Sequence, residues 1–384
     1  MPFKASQSLH DPRRHVGVHA EHISNVSSTD YPGHYPDEDH SWDLVKFTKD
    51  LQVKVQRLSN RSIEFDLVGV DASIANGFRR ILIAEVPTVC IEHVYVFNNT
   101  SVMVDEVLAH RLGLVPLNVD PALVDMKDAV TDQATDRNTL VFRLAVACTR
   151  NKLAPNISTT NPEELYTNSE VLSSHLQWDP QGEQAVVYAD NPPAPTNPNI
   201  VLVKLRPGQE VEMEMHAVKG VGKDHAKFSP VATASYRILP LIILNPEKPV
   251  PAHLATKFQE CFAPGVIRVD PRTKRVSVDE KNMRKDTVSR EVLRHPEFEG
   301  CVELKRVRDF FLFNIESESF YPPERLFPEA IKVMRGKIAT IRKAAEALLA
   351  DSDALDGEVE GGAVAETRIP REAGGEGDVI MTEA

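Results

Sequence analysis

The chain has 384 residues, 42% of them hydrophobic, and a formal net charge of −12. That length is enough for two or three domains with real cores, and no apolar run approaches the roughly 18 residues that span a bilayer, so the sequence reads as a soluble chain with no membrane partner. The charge is unevenly placed: ten acidic and two basic residues lie from Asp351 to the end, which leaves the body near −4 and without a strong pull on nucleic acid.

The N-terminal run MPFKASQSLHDPRR has no apolar segment and does not read as a signal peptide. Residues 1–40 are polar and hold six histidines. His15, His19 and His22 have a spacing that invites a metal reading, but no carboxylate or cysteine pattern completes it, so a flexible tail is expected. The fold is expected to begin at Trp42. Leu51, Val53 and Val55 then alternate with polar residues, Ser59-Asn60-Arg61 turns the chain, and Ile63, Phe65 and Leu67 alternate on the way back, which predicts a half-buried hairpin.

A helix is predicted from Asp71, a good N-cap, with Ile74, Phe78, Ile81 and Leu82 forming one apolar stripe and Pro87 stopping it. Gly77 costs about 1 kcal/mol in mid-helix, so close approach of another backbone is expected there. Ile91–Phe97 reads as a strand. A short second helix is expected to use Asp105 as its N-cap, to carry His110 and Arg111 in its last turn, and to end at Gly113. Thr139–Cys148 is a further strand, with Leu140, Phe142, Leu144, Val146 and Cys148 on one face. The Asn- and Pro-rich stretch 151–199 reads as a long loop with one short helix near Leu172. Ile200–Leu205 and Glu210–Val218 are expected to pair as a second hairpin about Arg206-Pro207-Gly208, with Val211, Met213, Met215 and Ala217 inside.

The stretch GVGKDHAKFSP, Gly220 to Pro230, does not have the spacing of a phosphate-binding loop and is expected to be a tight connector leaving the hairpin. Asn245–Gly300 reads as a small unit with a helix around Leu254, Phe258 and Phe262, a hairpin turning at Asp270-Pro271-Arg272 and a helix near Val288–Leu293. From Arg268 to Arg294 it carries nine basic and five acidic residues, a solvated mixed-charge surface. Asp309–Glu316 returns to strand. After Pro322 and Pro323 a last helix places Phe327, Ile331, Met334, Ile338, Ile341, Ala345 and Leu348 at alternating spacings of 4 and 3, a seam that calls for a partner helix. The acidic tail 351–384 is expected to be disordered.

NGFRRILIAEVPT, Asn76 to Thr88, followed by DEVLAHRLGLVPL, Asp105 to Leu117, and by GVGKDHAK, Gly220 to Lys227, resembles the three signatures of the α-like subunits of cellular RNA polymerases. With the terminal seam, the resemblance covers about Leu51–Leu349 and is nearest to the branch shared by eukaryotic RNA polymerases I and III. It implies an α+β fold: a discontinuous dimerisation domain of two helices against an antiparallel sheet (41–92, 228–244 and 306–350), an inserted β-rich domain (93–227) and a further small α/β insertion without a metal cluster (245–305). It further implies a non-catalytic assembly subunit, in the nucleus, nucleolus and nucleoplasm, that pairs with the smaller α-like subunit and carries the two largest subunits. Small assembly subunits are further partners, and DNA is met only through the complex. Phe78, Ile81 and Leu82, with Ile331, Met334, Ile338 and Ile341, would lie at or beneath the dimer interface. Arg79, Arg80, Lys223, His225 and Lys227 become contacts to the second-largest subunit.

The polymerase II homologue carries a zinc-binding cysteine cluster in its insert and some archaeal versions bind iron–sulfur clusters. Cys90, Cys148, Cys261 and Cys301 stand at least 40 residues apart, the pattern of free thiols in a reducing compartment, and offer no such ligand set. The sequons at Asn98 and Asn156 are then chance matches. No cofactor or metal is expected, and the subunit of polymerase II or of an archaeal polymerase is the alternative. An independent enzyme built on Asp105, Glu106 and His110 has neither a nucleophile with its base nor paired catalytic carboxylates. A free-standing nucleic-acid-binding protein is disfavoured by the acidic balance and an aromatic content of 6%.

Overall fold

In the computed structural model, which describes residues 14–25, 43–128, 133–151 and 162–359, the apolar–polar alternations of the sequence become two antiparallel sheets. Their strands are β1 His15–Val18, β2 Ile23–Ser24, β3 Gln52–Leu58, β4 Ser62–Val68, β5 Thr88–Asn99, β6 Thr139–Ala147, β7 Gln177–Asp179, β8 Glu210–Gly220, β9 Val231–Leu244 and β10 Val302–Ser317. The helices that position them are α1 Leu44–Asp50, α2 Ala72–Ala84, α3 Asp105–Gly113, α4 Ala255–Glu260 and α5 Pro323–Val359. Residues up to Met334 form one compact unit, and those from Arg335 a second.

The first sheet runs β2-β1-β10-β4-β3, with β9 on the other edge of β10. β10 is long enough to serve two partners on one edge: Leu304–Val307 pair with β1, and Phe310–Glu316 with β4. At the changeover Asp309 accepts from the Gly69 amide through its carbonyl, and its carboxylate binds the Arg14 guanidinium at 2.7–2.9 Å. One core lies where this sheet meets α2 and the start of α5, built from Phe65, Phe311, Phe313 and Ile315 with Ile81, Leu82, Leu326 and Ala330. The 245–300 segment packs Phe258, Phe262 and Phe298 against Ile242 and Leu304 at the far end of the same two long strands. A partly buried ion pair, Arg284 to Asp66 at 2.9 Å, ties that segment back to β4.

The second sheet, β7-β6-β8-β5, encloses its own core of Leu140, Phe142, Leu144, Met213, Met215 and Ala217, closed by Leu108 and Leu112 of α3. It opens and closes at one place, because Thr88 at the start of β5 is in register with Gly220 at the end of β8. An expected boundary at 93 therefore cuts a continuous strand.

Several expectations are corrected. His15–Val18 and Ile23–Ser24 are strands and not tail, because β10 leaves an edge that β1 fills. Leu172 ends the strand Glu170–Leu172, which pairs with Val201–Lys204, and caps a one-turn 3₁₀ helix at Ser173–His175, so the stretch read as loop holds a strand beside the short helix expected there. Lys204 therefore does not return along β8; β8 is instead held between β5 and β6, and the two segments expected to pair as a hairpin do not pair with each other. β3 is not half-buried: Val53 and Val55 are 55% and 53% exposed. The N-cap of α3 is Val104, and Asp105 instead accepts a hydrogen bond from Asn99 Nδ2 at 2.6 Å. Glu291–Arg294 is a single 3₁₀ turn. α5 continues to Val359, past the expected start of the tail, while 360–384, Trp42 and residues 1–13 lie outside the described residues.

Gly222 is a glycine this fold requires. A Cβ there would sit 2.3 Å from the Ile83 carbonyl oxygen, while the Lys223 amide donates to the Ala84 carbonyl at 2.8 Å. Gly222→Ala must break that docking, so thermal unfolding of the purified protein should show a loss of roughly 1–3 kcal/mol. Gly336→Ala, in mid-helix with nothing within 4 Å, should instead be neutral or gain up to about 1 kcal/mol. Equal midpoints for Gly222→Ala and the parent would show that the loop is not clamped on α2.

Candidate subunit interface

α2 forms because Asp71 caps it, accepting from the Ser73 amide at 2.8 Å, and bonds from Ser73 hold the Asp71 carboxyl below the usual carboxylate range. Its stripe divides by depth. Ile81 and Leu82 are buried in the chain's own core, whereas Ile74 and Phe78 are half-buried at its margin. Phe78 meets Phe327 of α5 at 4.9 Å between ring centroids, and Phe327 in turn packs on Phe65 at 4.9 Å and Phe313 at 6.2 Å. Such tilted pairs add about 0.5–1.5 kcal/mol each beyond area burial. Met334 reaches Gly77: a Cβ there would stand 3.4 Å from the Met334 methyl, ordinary contact. The helix expected to cross at Gly77 is α5, but it approaches with a side chain and not with its backbone.

The seam on α5 changes character along its length. Leu326 and Ala330 are fully buried, Phe327 and Met334 are half-buried, and Ile331 is 38% exposed. In the second unit Ile338 is 58% exposed, Ile341 69% and Leu348 71%. Large aliphatic side chains at a and d spacing are thus left in water, each forgoing roughly 1.5–3 kcal/mol of burial.

Val53 and Val55 were expected inside and are a second exposed apolar element. They stand opposite Leu67 and Phe65 across the β3–β4 ladder, so they share the face on which Phe65 meets Phe327. The period of the strand is legible in sequence; that no helix among the described residues covers Val53 and Val55 is not. The root of α5 is fixed by Arg325, which reaches Asp120 at 3.3 Å and Glu329 at 3.1 Å and lies over the Tyr321 ring at 5.2 Å. Tyr321 donates to the Pro87 carbonyl at 3.1 Å, and burial pushes its phenol up. Burial opposes ionisation of Glu329, but bonds from Lys332 and Arg325 hold its carboxyl below the usual range.

The five cations assigned to a large partner separate. Arg80, Lys223 and His225 are exposed. Arg79 is half-buried and folds back on Asn76 Oδ1 at 3.0 and 2.8 Å. Lys227 is turned inward, its side chain 11% exposed. Its ammonium donates to the Ile91 carbonyl at 2.8 Å, pairs with Glu92 and lies 5.2 Å from the Phe228 ring centre. Behind it the Cys90 thiol donates to the Lys227 carbonyl at 3.0 Å, and burial pushes that thiol up to about 11. Lys227 is a latch of the fold, not an outward contact. Among the described residues no group of three or more His, Cys, Asp or Glu side chains is placed to hold a metal, and the four cysteines are buried and free.

Residues 64–338 match the protein family described as the RNA polymerase Rpb3/Rpb11 dimerisation domain. The chain is 49% identical over 325 residues to the DNA-directed RNA polymerases I and III subunit RPAC1 of Saccharomyces cerevisiae, covering 84% of this chain and 96% of that protein. It is 46% identical over 333 residues to the subunit of the same description in Homo sapiens, covering 87% and 95%. Similarity to the DNA-directed RNA polymerase II subunit rpb3 of Dictyostelium discoideum is lower, 32% over 307 residues, covering 78% and 96%.

If Lys227 is the latch, Lys227→Met should expose Cys90. At pH 8 a thiol titrating near 11 is almost wholly protonated, so native Cys90 should alkylate very slowly. The variant should label at least roughly tenfold faster at this one site by peptide mass spectrometry, because a local opening easier by about 1.4 kcal/mol gives that factor. Unchanged Cys90 labelling would show that the latch lies elsewhere.

Proposed function

The chain belongs to the RNA polymerase Rpb3/Rpb11 dimerisation-domain family, and we propose that it is the larger α-like subunit shared by DNA-directed RNA polymerases I and III, acting in assembly and not in catalysis. The identities support the I/III branch: 46–49% to the I and III subunits from yeast and mammals against 32% to the polymerase II-type subunit. The single observation that carries the assembly role is the exposed apolar face of α5. A helix with Ile338, Ile341 and Leu348 in water is built to be covered, and the seam spacing is that of helix against helix.

The partner that fits this face is the smaller α-like subunit. Its helix would cover Ile331, Ile338 and Ile341, with Phe78 and Met334 at the edge and Ile81 and Leu82 supporting from beneath. Val53 and Val55, exposed in the first unit, are proposed as further apolar contacts. The heterodimer would then form the platform for the second-largest and largest subunits and the small assembly subunits, serving synthesis of ribosomal, 5S and transfer RNA. The reading implies a nuclear chain, in the nucleolus for polymerase I and the nucleoplasm for polymerase III. Nucleotide addition belongs to the largest subunits in this scheme, and this chain meets DNA only through them. Arg80, Lys223 and His225 face solvent and remain the contacts proposed for the second-largest subunit; Arg79 and Lys227 support them from inside.

Two outcomes test this reading. Ile338→Asp places a charge where the partner helix should be driest, and burying it unpaired costs several kcal/mol. The co-expressed heterodimer should therefore come apart at micromolar concentration in light scattering, while Lys343→Glu, exposed and off the seam, should be tolerated. A stable Ile338→Asp heterodimer would refute helix-on-helix assembly. Separately, the double change Arg80→Glu with Lys223→Glu should leave the smaller α-like subunit bound but lower recovery of the second-largest subunit severalfold. Full recovery would make the signature loop a plain connector.

A further inference from the structure

The inserted domain carries a second exposed apolar element that dimerisation does not use. It lies where β5 passes into α3. Phe97 is 66% exposed, Val102 89%, Val104 59% and Val107 48%. One such residue would be unremarkable on a surface; four along eleven residues of one connection are a patch.

This connection is held in place. The Asn99 side chain accepts from the Ser101 amide at 3.1 Å and the Ser101 hydroxyl at 2.7 Å, and donates to the Met103 carbonyl at 3.0 Å and to Asp105 at 2.6 Å. Thr100 is clamped to β8, its amide donating to the Glu210 carbonyl at 3.0 Å and its hydroxyl accepting from the Glu210 amide at 2.7 Å. Beneath it Met103 packs against the inserted core, and Leu108 is fully buried there. Val102 is therefore presented on a loop already ordered without a partner, which removes most of the entropic cost of docking it.

The rim has one sign. Asp105, Glu106, Glu210 and Glu212 are all exposed beside the patch, while no Lys or Arg occurs from Thr88 to His110 or from Gln209 to Val218. Arg111, the nearest cation along the helix, is spent on the Leu202 and Val201 carbonyls at 2.9 and 2.6 Å. The complementary surface is an apolar socket edged by Lys or Arg.

We propose that the Phe97–Val107 connection is a preformed knob that docks into an apolar, basic-rimmed socket on a polymerase subunit other than the smaller α-like partner. This rests on the assembly reading above. The smaller partner is excluded as occupant because the knob stands on the inserted core, whereas the face assigned to that partner stands on the core of α2 and α5.

The test uses the assembled polymerase purified through this chain. A photo-crosslinking residue at Val102 should join one subunit other than the smaller α-like one, within a segment mixing apolar residues with Lys or Arg. Val102→Lys should lower that subunit's recovery at least roughly fivefold, and Val102→Glu should lower it less, because only the former repels a basic rim. The smaller α-like subunit should stay at wild-type stoichiometry in both. Thermal unfolding of the variant heterodimers should match the parent, as expected for so exposed a side chain. Crosslinking to the smaller subunit, no protein crosslink in an intact assembly, or greater harm from Glu than from Lys would each overturn the proposal. A wild-type chain that recovers no polymerase subunits at all would instead sink the assembly reading on which the knob depends.

Discussion

The structure turns on one strand used from both edges along most of its length. β10 gives one edge to β9 and divides the other between β1 and β4, so the N-terminal strand, the β3–β4 hairpin and β9 are all registered against the same backbone. Its side chains do the same across the sheet. Phe311, Phe313 and Ile315 fill the core under α2 and α5, and Val302 and Leu304 fill the core under α4. Two hydrophobic cores thus share a pair of strands, and Asp309 holds the point where the neighbour changes. Loss of order in β10 would expose both at once.

That arrangement leaves the apolar residues in two classes. Side chains satisfied within the chain, such as Ile81, Leu82, Leu326 and Ala330, hold the first turns of α5 against α2 and the sheet. Side chains left in water, such as Ile338 and Ile341 in the second unit, have no such cover within the chain. The aromatic group of Phe65, Phe78, Phe313 and Phe327 is the joint between the classes, and the Arg325 ion pairs with Asp120 and Glu329 brace it against the inserted domain.

Local periodicity made much of this legible. The α2 stripe, the inner face of β6, the buried row Val211, Met213, Met215 and Ala217 and the α5 seam all follow from spacing within one element. What spacing cannot report is the partner of a strand. Glu170–Leu172 and Val201–Lys204 pair across a long connection rich in proline, so the sequence there resembles loop, and spacing alone points β8 to the wrong neighbour. The same limit explains β3, whose alternation is that of a buried face although no helix among the described residues lies over Val53 and Val55. At the interface residues, the signature loop identified the family, but charge alone does not tell a cation that faces a partner from one that caps an edge carbonyl. Lys227 does the latter and Lys223 faces solvent. The knob at Val102 gave no signal in sequence, since a valine between Ser101 and Met103 has no period to betray its exposure.

The register of Thr88 with Gly220 has an evolutionary consequence. A segment whose two ends are neighbours in one ladder behaves as a cassette: it can lengthen, shorten or exchange its contents while the strands that leave and return keep their places. The platform and its insert are therefore free to diverge at different rates, and one scaffold can be fitted to different transcription machineries by rewriting only what hangs between those two residues.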